Sequence, residues 1–570
     1  MNRTLFLLFL AFSIQLSAQD ALTSNKSMTY HDLLEEYKNL DHQFDQAFLI
    51  PYGKDDCGET IHLFVISGTS VFQPQRLHEL NKCILFINNG IHPGEPDGMD
   101  ASLIFAKELL YKESNHKLLE NVVVCIIPTY NIGGALNRNS YSRANQDGPE
   151  EYGFRGNARN LDLNRDFIKT DAANTKTLKQ ILLQWNPDVF VDTHVSDGAD
   201  YQYTMTLVSS QHNKMSPPAG KYMHDVFTPA LFQSMKSKKD EMSPYVECFT
   251  YESSPDSGII GFLETPRFAT GYTSLYNCFS FITETHMLKP FPERVKSTQR
   301  FLNSMMSICS EKKDEILTSR KNAEEFDLTM KKYPFNWETD FSKHEELSFK
   351  GYESTHIKSK VTSGNRLKYF RDKPYVKTIP FYNEYKANDT IEIPKFFYVP
   401  QAWENIVRML EANGVKSIRM NKDTSGTFTS LSISDFKTTD LPFEGHYLHF
   451  NTKTTTQQVQ TEIKKGDYMI NCNQKAIRII LETLIPSAVD SYFNWGFFDS
   501  ILQQKEWFSS YVFEDIAEKL LSEDSKLKTD FEKWKAENPK EDEFNQLYYV
   551  YSHSKYFEES YRRYPVRLVY

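Results

Sequence analysis

Residues 84–100, ILFINNGIHPGEPDGMD, decide the fold. The apolar run Ile84, Leu85, Phe86 and Ile87 reads as a buried strand, and Asn88-Asn89-Gly90 is a turn signal that ends it. His92 and Glu95 follow at once, and a helical pattern runs from about Gly98 to Tyr111. A strand that carries an imidazole and a carboxylate onto a loop at its C-terminal end supplies two of the three protein ligands of a catalytic zinc site. None of the other fourteen of the fifteen histidines has Glu at the third following position.

Working outward, residues 30–40 have helical spacing, and residues 47–51 and 60–67 look like strands joined by a turn at 53–56. Downstream, NVVVCIIPT (121–129) and DVFVDT (188–193) are further apolar runs, each preceded by a helix-like segment, and FSFIT (279–283) ends at Glu284. Apolar runs without polar alternation, separated by helices, predict an α/β fold: a mostly parallel mixed sheet with helices on both faces. Ligands of such sheets lie beyond the strand C-termini, where His92 and His194 both fall. The Gly-, Asn- and Arg-rich segment 130–167 is too long for a mere connection and predicts part of a binding site.

At 570 residues the chain exceeds one core. We expect a catalytic domain over residues 28–333 and a C-terminal α+β accessory domain over 340–570, with the boundary at Pro334 after charged helical segments at 291–331. In the second half, 375–398 and 447–455 look extended, and 403–414 and 473–484 helical. His446 and His449 have no companion carboxylate and read as core or solvated, and the aromatic run YFNWGFFD (492–499) reads as core.

Residues 1–18 have the form of a secretory signal peptide: Arg3, an apolar segment at 5–14, and a small residue, Ala18, at the cut. The expected location is therefore exported, periplasmic or secreted. No later run is long and apolar enough for stable membrane insertion. A formal charge of -10 gives no reason to expect nucleic acid. The seven cysteines are odd in number and show no CxxC spacing, so at least one free thiol and no disulfide framework are expected.

His194, at the end of DVFVD, completes a two-His, one-carboxylate set that leaves a coordination position for water. Hydrolysis there needs a base and a partner for the developing oxyanion. Glu284 is the candidate base and Glu264 its rival. The segment FRGNARNLDLNRDF (154–167) offers three arginines and three asparagines, which suit a substrate with a free carboxylate.

HPGE, LDLNRDF, VDTH and ITETHMLKPF, in this order, resemble motifs of the zinc carboxypeptidases of the M14 family. The resemblance covers roughly residues 30–320. It implies one Zn2+ per chain on His92, Glu95 and His194, with Asp162 orienting the first histidine. Asn164 and Arg165 match the pair that holds the substrate's terminal carboxylate, Arg155 the arginine that stabilises the oxyanion, and Glu284 the general base. The family's mobile tyrosine corresponds to Tyr272 or Tyr276. The implied partner is a peptide with a free C-terminal carboxylate, cell-wall stem peptides included. Two alternatives stand beside this reading: an N-acyl amino-acid amidohydrolase similar to aspartoacylase, and an inactive peptide- or cell-wall-binding protein.

Overall fold

The computed structural model describes residues 22–570, and the expected signal peptide lies outside the described residues. The first half is built on an eight-stranded mixed sheet. Its strands are β1 (Ala47–Lys54), β2 (Thr60–Ile66), β3 (Cys83–Asn88), β4 (Val122–Ile127), β5 (Val189–Ser196), β6 (Met205–Ser209), β7 (Ser243–Pro244) and, after the two-residue β8 (Ile259–Ile260), β9 (Phe279–His286). They lie in the order β1-β2-β4-β3-β5-β9-β6-β7. The central four, β4, β3, β5 and β9, are parallel, and β2 and β6 flank them antiparallel. Every residue of β3, β4 and β5 is buried, which is why these runs show no polar alternation.

Apolar clusters cover both faces. One packs Leu85, Val124 and Phe281 against the helix Asp97–Tyr111 and the long helix Phe291–Glu311. The other packs Phe86, Val123 and Phe190 together with Trp185 and continues without a break into Ile479, Trp495 and Leu568 of the second half. The interior is thus shared between the two halves of the chain.

The C-terminal α+β region holds a six-stranded sheet in which every pairing is antiparallel, made of β14 (Phe396–Val399), β15 (Ser417–Arg419), β16 (Thr424–Thr438), β17 (His449–Ile463), β18 (Tyr468–Asn471) and β19 (Arg563–Val569). Before it come β10 (Lys332–Thr339), which contains Pro334, and the long hairpin of β11 (Glu345–Lys358) and β12 (Asn365–Tyr382), followed by β13 (Tyr385–Glu392). β12 pairs with β8, so this hairpin is fastened to the first half through the backbone. Tyr492, Phe493, Trp495 and Phe498 are fully buried, in line with the core reading of that aromatic run. All seven cysteines are free, and among the described residues no helix is long and apolar enough to cross a membrane.

Candidate active site

β3 ends at Asn88, and the loop that follows it places His92 and Glu95 beside the C-terminal part of β5. The helix Asp97–Tyr111 then begins directly against that strand. Any side chain at Gly98 would collide with Thr193, so glycine is required for this close approach. Neither His194 nor Glu284 lies past a strand end: β5 runs on to Ser196 and β9 to His286, and the two residues are register partners across the parallel pair. Register partners share a face of the sheet, so the candidate base stands beside the candidate ligand.

His92, Glu95 and His194 converge in a buried position, 3 %, 2 % and 5 % exposed. The two Nδ1 atoms are 3.1 Å apart, His194 Nδ1 is 3.1 Å from Glu95 Oε2, and His92 Nδ1 is 3.4 Å from Glu95 Oε1. Two donors that each bind a tetrahedral zinc at its usual length stand about 3.3 Å apart. The triangle therefore has the edge lengths of three ligands around one such ion, and two imidazoles with one carboxylate are the donor chemistry it takes.

Both imidazoles are held from behind. His92 Nε2 lies 2.9 Å from Asp162 Oδ1, and His194 Nε2 lies 3.2 Å from Asp192 Oδ2. Donation from Nε2 keeps each Nδ1 lone pair turned into the cluster. Asp192 is itself held by Asn88 Nδ2 at 3.1 Å. Burial alone would raise the Glu95 carboxyl, but the Arg143 guanidinium, 2.8 Å away, and the imidazoles hold it well below the usual carboxylate range. The Val195 N–H donates to Glu95 Oε2 at 3.0 Å and fixes its orientation.

Asp162 is the hub of the adjoining loop. It caps the short 3-10 turn Leu163–Arg165 by accepting from Asn164 N at 2.9 Å, and its Oδ2 receives Arg155 Nε at 3.0 Å. Arg155 also reaches Glu95 Oε1 at 3.5 Å, yet its side chain stays 41 % exposed and so remains open towards a ligand. Asn164 Oδ1 accepts from Ala269 N at 3.0 Å, and the Arg165 guanidinium lies over the Phe268 ring at 4.4 Å. His92, Glu95, His194, Asp162, Arg155, Asn164 and Arg165 thus form one connected group.

Burial pushes the Glu284 carboxyl up to about 8. The neighbouring His194 opposes the shift, while the negative charges of Glu95, Asp197 and Glu264 add to it. Its rival Glu264 is buried and occupied by the Thr270 backbone N–H and hydroxyl. Tyr272 needs correction. Its ring is buried, its hydroxyl donates to Asn413 Oδ1 at 2.8 Å and lies 3.2 Å from the Tyr276 hydroxyl, and Tyr276 donates to the Asn413 carbonyl. Both tyrosines are committed to the C-terminal region, and neither joins the cluster. The Tyr245 phenol is pushed up first by burial and next by the charge of Glu284.

Sequence reasoning missed three residues of this group. Asp192 was legible from DxH spacing on a strand, where alternate residues share a face. Arg143 had no local signal. Glu444 lies far along the chain: its Oε2 accepts the Asp162 N–H at 2.8 Å from the tip of a tight turn in which Phe443 pairs with His446. Glu444 and Gly445 both have positive φ, the conformation of a type I′ turn. His446 seals the same contact with Asp171 at 2.7 Å, while His449 turns to Asp499 at 2.9 Å, so these two histidines do not converge.

The zinc carboxypeptidase (Peptidase M14) family model matches residues 37–253, which include His92, Glu95, Arg155, Asn164, Arg165 and His194 and stop short of Glu284. The chain is 22 % identical over 493 residues to carboxypeptidase 2 of Trichophyton tonsurans, covering 83 % of this chain and 81 % of that one. With carboxypeptidase 2 of Trichophyton rubrum it shares 22 % identity over 446 residues, covering 75 % and 76 %. A metallo-carboxypeptidase structure from Pseudomonas aeruginosa superposes with a TM-score of 0.36 at 14 % identity, over 50 % of this chain and 68 % of that one. Residues 37–253 are thus similar to the zinc carboxypeptidase family, within a longer chain.

Proposed function

We propose that this chain is a zinc metallocarboxypeptidase that hydrolyses the last peptide bond of peptides with a free C-terminal carboxylate. The observation that carries the reading is the buried triangle of His92 Nδ1, His194 Nδ1 and the Glu95 carboxylate, backed by Asp162 and Asp192, with Glu284 in register beside it. Zinc bound by these three residues supplies Lewis-acid activation of water and of the scissile carbonyl.

The remaining steps belong to the chain's own residues. Glu284 takes a proton from the attacking water and passes it to the leaving amine. Arg155, part-exposed beside Glu95, donates to the carbonyl oxygen as negative charge develops there. Arg165 and the amide of Asn164, set on one 3-10 turn, hold the substrate carboxylate, so that only a terminal bond reaches the metal. The form of residues 1–18 supports an exported enzyme.

The test is mass spectrometry of a mixed peptide library incubated with the protein, with and without a zinc chelator and with C-terminally amidated copies. Loss of single C-terminal residues, abolished by chelation and by amidation, is the expected result. Trimming that persists on amidated peptides, or no trimming by zinc-loaded protein, overturns the reading.

A further inference from the structure

A second set of metal-ligating side chains lies outside the site described above. His212 follows β6 by a short loop, and His224 sits in the π-helical turn Met223–Phe227. Glu384 lies in the link between β12 and β13. One ring nitrogen of each histidine and one Glu384 oxygen lie within 4.8 Å of one another. The two imidazole centroids are 4.4 Å apart, and His212 Nε2 is 3.2 Å from Glu384 Oε1. That last separation is the donor spacing found at the primary cluster, where His194 and Glu95 stand 3.1 Å apart.

The supporting shell is also present. Asn213 Nδ2 donates to Glu384 Oε2 at 3.1 Å and leaves Oε1 towards the histidines. His224 has carboxylates on both sides, Asp225 at 2.9 Å from Nδ1 and Glu345, the first residue of β11, at 3.2 Å from Nε2. An amide-fixed carboxylate is oriented as metal-ligating carboxylates usually are, and with an ion on one His224 nitrogen the carboxylate on the other backs the ring, the contact at the liganding nitrogen giving way to the metal. His212 and His224 line a cavity of about 260 Å³ together with Glu345, and the side chains of His212, His224 and Glu384 are 15 %, 37 % and 30 % exposed, so an ion can reach the three from solvent. None of these residues has a part in the proposed hydrolysis.

We propose that His212, His224 and Glu384 bind a second divalent transition-metal ion of the zinc class, for which imidazole and carboxylate are suitable donors. The ion ties the first half of the chain, through its two histidines, to the β11–β13 segment, through Glu384 and the His224–Glu345 pair. The site is a clip between segments. It stands independently of the peptidase reading, because it uses other residues and is read out by metal content.

The experiment is a count of bound zinc by mass spectrometry of the full chain, after zinc loading and removal of excess. The chain is compared with its His224→Ala and His212→Ala variants, and the three proteins are repeated in a His92→Ala/His194→Ala background. The expected counts are two ions in the unaltered chain, one in either single variant, one in the double variant, and none when His224→Ala is added to the double variant. A rise in Tm on zinc addition to the double variant, absent once His224 is replaced, is the second readout. A double variant that binds no zinc, or one whose bound zinc survives both His212→Ala and His224→Ala, overturns the proposal. If the double variant does not fold, the fall from two to one with His224→Ala alone decides it, and an unchanged count rejects the site.

Discussion

Two clusters of two histidines and a glutamate occur in this molecule, and they are built on opposite plans. His92, Glu95 and His194 sit at the C-terminal side of neighbouring parallel strands, nearly sealed from water. His212, His224 and Glu384 are gathered from a loop, a helical turn and a link between strands, and stay part-exposed. The first plan sets His194 in the sheet and His92 and Glu95 on the loop that leaves it, with Glu284 in register beside His194. The second joins segments that are far apart in the chain, and the carboxylates beside it, Asp225 and Glu345, pair with His224. Ligand chemistry alone therefore does not separate a reacting metal from a fastening one; what surrounds the ligands does.

The comparison breaks most visibly if the ligands are exchanged in importance. His194→Ala is expected to abolish both peptidase activity and the zinc held at the primary cluster, whereas His224→Ala leaves turnover within about twofold, measured under zinc saturation. Next in size, Glu284→Gln should lower kcat by about 10²–10⁴-fold while zinc content stays unchanged. Turnover close to that of the unaltered chain would remove Glu284 from the mechanism. Asp192→Asn sharpens the contrast in support: loss of the carboxylate behind His194 should weaken zinc affinity about 10–100-fold, read by competition with a chromophoric chelator.

The smallest effect concerns how dry the primary plan is. Asp100 lies in the first turn of the helix that leaves the ligand loop, and burial, with Asp97 adding to it, pushes its carboxyl from 3.8 up to about 7. Its native-state pKa is thus above its unfolded-state value. The native chain keeps a proton that the unfolded chain has released, so stability falls as pH rises from about 4 to 7 and stays lowered above that. Asp100→Asn cannot ionise and should flatten this fall, which urea midpoints at pH 5 and pH 8 would check.

The sheet was legible because its central strands are apolar throughout, as residues 84–87 and 121–127 illustrate, and only strands buried on both faces read that way. The His92, Glu95 and His194 cluster was legible because HxxE and the end of DVFVD point at a common edge. Strand ends were misjudged at His194 and Glu284, since polar residues inside a buried strand look like its termination. Tyr272 was misplaced because loop sequence does not say which way a ring turns, and Asn413, which receives it, lies on a distant helix exit. The contacts of Glu444, Arg143 and the His212 group were invisible for the same reason: each depends on tertiary proximity with no local spacing to betray it.

The turn that carries Glu444 to the Asp162 N–H has a consequence for genetics. A screen for lost activity will collect lesions at Phe443, Glu444 and Gly445 alongside those around His92, although no motif marks them. Two alleles, one altered at Asp162 and one at Glu444, will fail to behave as independent defects, because Glu444 holds the backbone of the residue whose side chain holds His92.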